Sequence, residues 1–332
     1  MDINKLYEEN KKEIEDIDKI IEKEGVSLFG AGQYGEFVSE YLLKNGYKIN
    51  CFIDNNPNKH GTKINDIEIV SKDSNLSKNS KVVLITARHV VNEIIQSNKA
   101  NYAKLIFFDK YFVIKNFNKL LYIRNELFDD ASRKTLDILI YSKILGDGSY
   151  CKNANQTNQY FCIPEFKDFN NKDIYADIGA FVGDTIEKFI YLNSGIFNKI
   201  YAFEIGKQQF KSLKIRCKRL IKEWAIDSDK IILINAGISN KNGNMFLNND
   251  NIITSYSLSN SGNYKVKVFS IDEYLKTKPI TFLKADIEGE ELNMLQGASN
   301  TIKTYKPKMA ISVYHKPDDL LAIPKFIKNL VP

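Results

Sequence analysis

The sequence predicts an α/β protein built from two doubly wound, Rossmann-like sheets, and three observations carry that prediction. Short apolar runs ending on an acid or a glycine turn alternate with amphipathic helical stretches along most of the chain. Two of the runs open glycine loops: G-A-G-Q-Y-G, with Gly30, Gly32 and Gly35, and D-I-G-A-F-V-G-D, with Asp177, Gly179, Gly183 and Asp184. After each loop a second apolar run ends on a carboxylate, Asp54 in the first case and Glu204 in the second. Strand, glycine turn, helix and a strand ending in an acid make a β-α-β unit. In an open parallel sheet the ligand crevice lies at the carboxyl ends of such strands.

With 332 residues and 43% hydrophobic content, the chain is long enough to bury two cores. The net charge of +6 is spread along the sequence without a dense Lys/Arg block, which speaks against a nucleic-acid partner. Cys51, Cys151, Cys162 and Cys217 form no C-x-x-C pair, and three histidines are too few for a His-based cluster. The first 25 residues are charged throughout and lack the apolar centre of a signal peptide. No apolar run approaches the ~20 residues of a membrane span. A cytoplasmic protein without a membrane span is the expectation.

The elements follow in order. Residues 1–25 carry Leu6, Ile14, Ile17, Ile20 and Ile21 at helical spacing and read as an amphipathic helix packed on the next domain. A domain over 26–113 begins with a strand running into the true G-x-G-x-x-G, followed by a helix over 36–45. A strand over 48–53 then ends in Asp54, at the distance expected of an acid on a ribose. Strands over 81–86 and 104–108 complete this sheet. Residues 114–150 are helical in pattern and poor in Gly and Pro, and 151–157 are polar, so 114–158 reads as a helical connector and loop. In the domain over 159–332, the strand ending at Asp177 leads to a helix over 185–191 and a strand ending at Glu204. A helix over 207–222 and a strand over 230–235 follow, bringing Asn235 and Ala236 to a strand end. The polar, β-prone stretch 243–269 is expected to form short antiparallel strands over the crevice. A strand over 280–285 ends in Asp286, and a last strand over 309–314 ends in His315.

Two resemblances sharpen this reading. The segment C-F-I-D-N-N-P-N-K-H-G-T-K-I, with I-E-I-V after it, resembles the small N-terminal domain of bacterial sugar-modifying enzymes, including sugar acyltransferases, over 26–112. The pocket of those relatives can hold a nucleotide-linked sugar, which makes Gly30, Gly32, Gly35 and Asp54 candidates for nucleotide binding. The ordered set D-I-G-A-x-x-G-D, A-F-E, S-I-D-E-Y-L, K-A-D-I-E-G-E-E, L-Q-G-A and V-Y-H-K-P-D-D-L resembles the FkbM family of S-adenosylmethionine-dependent methyltransferases, from residue 127 to the end. That resemblance implies an O-methyltransferase of sugars in polysaccharide or antibiotic biosynthesis. The acceptor would be a small molecule or glycan, a nucleotide-linked sugar among the candidates.

The family pattern assigns roles. Asp177, Gly179 and Gly183 would shape the pocket for the methionine part of S-adenosylmethionine, Glu204 would hold the ribose hydroxyls, and Asn235 and Ala236 would flank the adenine. Methyl transfer gains much of its rate from holding the acceptor oxygen in line, and a hydroxyl acceptor also needs a base. Asp286, Glu288 and His315 are the candidates, with Lys284 able to stabilise a developing alkoxide. Plainer roles compete. Glu288 suits the first turn of a helix, where an acid complements the dipole. His315 suits an ordinary turn, Tyr256 suits packing in a β region, and Asp272 suits a helix cap. No metal is assigned, because Asp286 and Glu288 alone are too few ligands for a catechol-type magnesium site.

One departure stands out. Methyltransferases of this class finish with an antiparallel hairpin after the fifth strand and its helix, whereas the helix over 318–330 is followed only by the last two residues. The expectation is a sheet without that hairpin and with its fifth strand as an open edge: either the chain is a truncated product, or an oligomeric partner covers that edge. Two further readings remain: a nicotinamide-dependent oxidoreductase using the N-terminal G-x-G-x-x-G, and a catalytically silent nucleotide-binding subunit.

Overall fold

The computed structural model describes residues 2–248, 257–259 and 264–331. The chain divides into two compact units, residues 1–155 with 316–321, and residues 156–315 with 322–332. Both are α/β layers around a parallel sheet.

In the first unit, helix Ile3–Glu24 starts at Asp2, whose side chain accepts from the Lys5 N–H. Its Ile14, Ile17 and Ile21 are buried in one cluster with Val26, Leu28 and Val38. The sheet contains β1 (Val26–Phe29), β2 (Ile49–Ile53), β3 (Lys63–Ile64), β4 (Ile67–Val70), β5 (Val82–Ile85) and β6 (Lys104–Phe107), in the order β3-β4-β2-β1-β5-β6. All pairs are parallel except β3 with β4, which are joined through Asn65 and Asp66 at φ 50 and 63. Two left-handed central residues of Asn/Asp type suit a tight hairpin. These two strands had no counterpart in the sequence reading, because they are short and bear charged residues at alternate positions. Helices Phe117–Glu126 and Asp130–Leu145 bury Leu120, Leu136, Ile140 and Ile144 in the first unit's core, so most of the stretch read as a connector belongs to that unit.

In the second unit the main sheet contains β7 (Ile174–Ile178), β8 (Lys199–Phe203), β9 (Ile231–Ile234), β14 (Phe282–Ala285) and β15 (Lys308–Ile311), all parallel, in the order β15-β14-β7-β8-β9. The chain leaves β7 toward β8 and later returns to its other side as β14. The β7–β14 boundary is therefore the topological switch point, where a crevice opens. Alternate side chains face opposite layers. Tyr175, Ile200 and Ala202 pack with Ile186, Phe189, Leu213 and Cys217 of helices Asp184–Leu192 and Lys207–Glu223. Ala176, Ile178, Tyr201 and Phe203 pack with Ile271, Met294, Leu295 and Ile302 on the other face. A smaller sheet of β10 (Gly237–Ile238), β11 (Gly243–Asn248), β12 (Ser257–Ser259) and β13 (Tyr264–Phe269) is antiparallel except for β10 with β13. Among the described residues β15 pairs with β14 alone and lies at the sheet edge.

Candidate active site

At the tips of β7, β8 and β14 the second unit contains a cleft of about 360 Å³. Its floor is the turn after β7. Gly179 has φ 79, and a Cβ there would lie 2.1 Å from the Asp286 carbonyl oxygen, so this position demands glycine for both conformation and space. The next glycine, Gly183, precedes helix Asp184–Leu192.

Beneath the turn lies a buried ion pair. Asp177 on β7 and Lys284 on β14 are directly opposite in the strand register, and Lys284 Nζ stands 3.1 Å from Asp177 Oδ1. Lys284 also donates to the Gly179 carbonyl at 2.7 Å, and the Thr185 hydroxyl donates to Asp177 Oδ2. Asp177 is fully buried. Burial pushes its carboxyl up, with Lys284 and Thr185 pulling the other way. Asp177 is thus the internal anchor of the glycine turn. Lys284 reaches the cleft but is engaged by its neighbours.

Glu204, at the tip of β8, is 6% exposed and accepts from the N–H groups of Phe181 (2.8 Å) and Gly206 (2.6 Å). Burial pushes its carboxyl up to about 7 against those two bonds. A carboxylate offers about four lone-pair positions, which leaves Glu204 capacity for two more donors. Asn235 supports this loop from β9, donating from Nδ2 to the carbonyls of Glu204 (2.8 Å) and Ile205 (3.2 Å), while Ala236 lines the cleft itself.

Asp286, at the tip of β14, accepts from the Tyr160 hydroxyl at 2.5 Å and the Tyr314 hydroxyl at 3.0 Å. Burial raises its pKa, but the hydrogen bond from Tyr160 and the charge of Lys284 outweigh it and hold the carboxyl below the usual range. Glu288 follows with a left-handed backbone, φ 57, rare for a residue with a side chain. The last strand ends at Ile311 rather than at 314, so His315 lies in the loop beyond β15, where it points Nε2 toward Asp286 Oδ1 (3.4 Å) and Glu288 Oε2 (3.8 Å), and Nδ1 toward Glu291 Oε1 (3.0 Å). Burial pulls the imidazole pKa down, yet the three carboxylates together raise it.

Of the residues expected from sequence, Gly179, Glu204, Ala236, Lys284, Asp286 and Glu288 line the cleft, whereas Asp177, Gly183, Asn235 and His315 stand behind it. Tyr160, Phe181, Gln209 and Glu290 also line it, and Glu291 backs His315. Sequence reasoning did not place these in the site. Tyr160 in particular lies 126 residues from its partner Asp286. Tyr256 lies outside the described residues. In the first unit, Asp54 is engaged by its own loop: it accepts from the N–H groups of Ala31 (2.9 Å) and Asn56 (2.8 Å), and Lys59 Nζ is 3.3 Å away.

Two family models match parts of the chain. The model of the methyltransferase FkbM domain matches residues 177–331, which contain the glycine turn and both strand-tip acids. Residues 177–331 are an FkbM methyltransferase domain. A C2185-like N-terminal domain model matches residues 22–103. No curated protein matches the chain. The crystal structure of methyltransferase FkbM from Methylobacillus flagellatus KT superposes with a TM-score of 0.59 at 18% identity, covering 99% of this chain and 93% of that one. At that identity the likeness concerns the fold. An rRNA methylase from Streptococcus thermophilus reaches a TM-score of only 0.29 at 16% identity, over 48% of this chain and 71% of that one, too loose to support an argument. The matched residues 177–331 include β7, β8, β9, β14 and β15 of the second unit's main sheet from Asp177 onward. Among the described residues no helix is long and apolar enough to cross a membrane.

Proposed function

We propose that the chain is an S-adenosylmethionine-dependent O-methyltransferase acting on a sugar or glycan-precursor hydroxyl. The observation that supports this reading most is the placement of Glu204 and Asp286 on one cleft, at the tips of β8 and β14, with the Gly179 turn between them. The lining fits the methyl donor. Asp184, Glu204, Asp286, Glu288 and Glu290 face the cleft, an acid-rich surface suited to a sulfonium, an ammonium and a ribose diol. Glu204 would hold the ribose, Gly179 and Phe181 would let the backbone close on the donor, and Ala236 with Ile238 would border the adenine. When bound, S-adenosylmethionine supplies an electrophilic methyl carbon on a sulfonium.

The chain's own residues do the rest. Acceptor hydroxyls find carboxylate acceptors along the lining, and Lys284, the cation among the described lining residues, is engaged by Asp177 and the Gly179 carbonyl. This favours an uncharged, hydroxyl-rich acceptor over a phosphorylated one. Tyr160 and Tyr314 fix the Asp286 carboxylate, and the Asp286–His315 pair takes up the proton the hydroxyl loses. The test is transfer of a labelled methyl group to a panel of neutral glycans. Asp286→Asn should lower turnover by roughly 10²-fold or more while affecting donor affinity far less. A fully active Asp286→Asn would remove Asp286 from the chemistry, and no transfer to any hydroxyl acceptor would sink the reading.

A further inference from the structure

Three carboxylates of the second unit share one basic partner. Among the described residues, every ion pair of Asp286, Glu288 and Glu291 is with His315. Nε2 stands 3.4 Å from Asp286 Oδ1 and 3.8 Å from Glu288 Oε2, and Nδ1 stands 3.0 Å from Glu291 Oε1. The imidazole is 9% exposed and Glu291 is completely buried. Glu291 opens helix Glu291–Gly297, and its oxygens accept from the N–H groups of Ile287 (2.8 Å) and Gly289 (3.1 Å). One buried acid thus closes the loop that carries Glu288 and also backs the histidine.

This arrangement selects the protonated form of the ring. Nδ1 approaches Glu291 without the alignment of a full hydrogen bond, so a neutral ring would gain little there. Its Nε2 lone pair would also face two further carboxylates. An imidazolium carries a proton on each nitrogen, and charge attraction survives poor alignment. The charged groups that face the ring are all acids: Asp286 and Glu288 from the loop after β14, and Glu291 from the helix behind it. On its own loop the ring meets the uncharged Tyr314, at 4.2 Å between ring centres. Burial pulls the imidazole pKa down, and the three carboxylates, Glu291 foremost, outweigh it.

We propose that Glu291 is a positioning residue: it holds His315 as an imidazolium, which in turn holds the Asp286 and Glu288 carboxylates in place at the cleft. The cleft has use for such a cation. Asp184, Glu204, Asp286, Glu288 and Glu290 all line it, and Lys284 is engaged by Asp177 and the Gly179 carbonyl. Like charges gathered in one cleft drive one another toward the protonated form, and a protonated Asp286 could not accept a proton from a hydroxyl. The imidazolium offsets that repulsion from behind the lining. In the Asp286–His315 pair, the proton of the acceptor O–H bond then passes to Asp286, with His315 as its fixed counter-charge. That catalytic consequence rests on the methyl-transfer reading, whereas the ionic group of Glu291, His315, Asp286 and Glu288 does not.

The test is a pH titration of the full chain by nuclear magnetic resonance with isotope-labelled histidine rings, and calorimetry of S-adenosylhomocysteine on the same preparation. The chain has three histidines, so the signal missing from His315→Gln assigns His315. The expected result is a His315 midpoint above the ordinary value of about 6.5. Glu291→Gln should lower the ring's proton affinity roughly tenfold or more, and Glu288→Gln should lower it by less. A Glu291 that only caps its helix and loop would, on substitution, lower the melting temperature and leave the His315 midpoint in place. Glu288 is partly exposed, so its variant carries the test if Glu291→Gln does not fold. A wild-type His315 midpoint at or below about 6.5, or one indifferent to every variant that folds, overturns the inference. The expected titration in a chain that binds no S-adenosylhomocysteine would remove the proposed function and leave this inference standing; binding with an ordinary His315 midpoint would do the reverse.

Discussion

Glu204 illustrates how one residue couples fold and ligand. Burial raises its pKa from 4.5 to about 7, so below about pH 7 the folded chain without ligand favours the protonated acid. The contribution to stability is therefore fully present below about pH 4.5 and is lost as pH rises through about 7. Melting temperature followed from pH 5 to pH 8 should decline in the wild type, and Glu204→Gln should remove that part of the decline. Donor affinity should run the opposite way, climbing through about pH 7, because ribose hydroxyls bond better to the ionised carboxylate. A wild type and Glu204→Gln with identical pH profiles for both quantities would refute the assignment. Glu204 and Asp286 were legible from sequence because each directly follows an apolar run and each falls in a recognisable motif. Tyr160 and Glu291 were not. A tyrosine in an irregular stretch carries no sign of a partner on a distant strand, and the second acid of a Glu-Glu pair looks like any first-turn acid until the loop beyond β15 brings histidine beside it.

At the scale of elements, β7 and β14 are fastened by the Asp177–Lys284 pair, in register and buried. Exposed pairs such as Arg219 with Glu223 contribute little by comparison. Removing one member of a buried pair leaves an uncompensated charge, so Lys284→Met should cost about 3–5 kcal/mol in denaturant unfolding. Replacing both, as Asp177→Leu with Lys284→Met, should recover much of that loss, and a double variant no better than the single would argue against the pairing. At the adjoining turn, Gly179→Ala should destabilise by at least about 2 kcal/mol, since a Cβ and the Asp286 carbonyl oxygen cannot share 2.1 Å. The parallel strands were readable as elements because strands buried on both faces are continuous apolar runs. The pair β3–β4 was hidden by its short, charged sequence. Helices Phe117–Glu126 and Asp130–Leu145 were visible as helices, but which core they join depends on long-range packing that no local pattern encodes.

For the molecule as a whole, the FkbM domain and its cleft belong to the second unit, while the G-x-G-x-x-G loop belongs to the first. The proposed methyl-donor site should be insensitive to that loop. Gly32→Val is a fair probe, because a Cβ at Gly32 would meet nothing within 4 Å and the fold should accept it. Melting temperature and donor affinity should both stay at wild-type values; a large loss of donor affinity would place the first unit's loop in the methyl-donor site. The ordered set of motifs made the family of the second unit legible in the sequence. The chemistry of the first unit was not, since a glycine loop and an acid also suit a scaffold, and Asp54 is spent on closing its own turn.

The most direct measurement is calorimetric titration of the full chain with S-adenosylmethionine and S-adenosylhomocysteine, with NAD in parallel and Glu204→Ala as the control. The account predicts micromolar binding of both sulfur compounds at one site per chain, weakened at least tenfold in Glu204→Ala, and no comparable binding of NAD. Failure of both compounds to bind, or binding unaffected by Glu204→Ala, would contradict it.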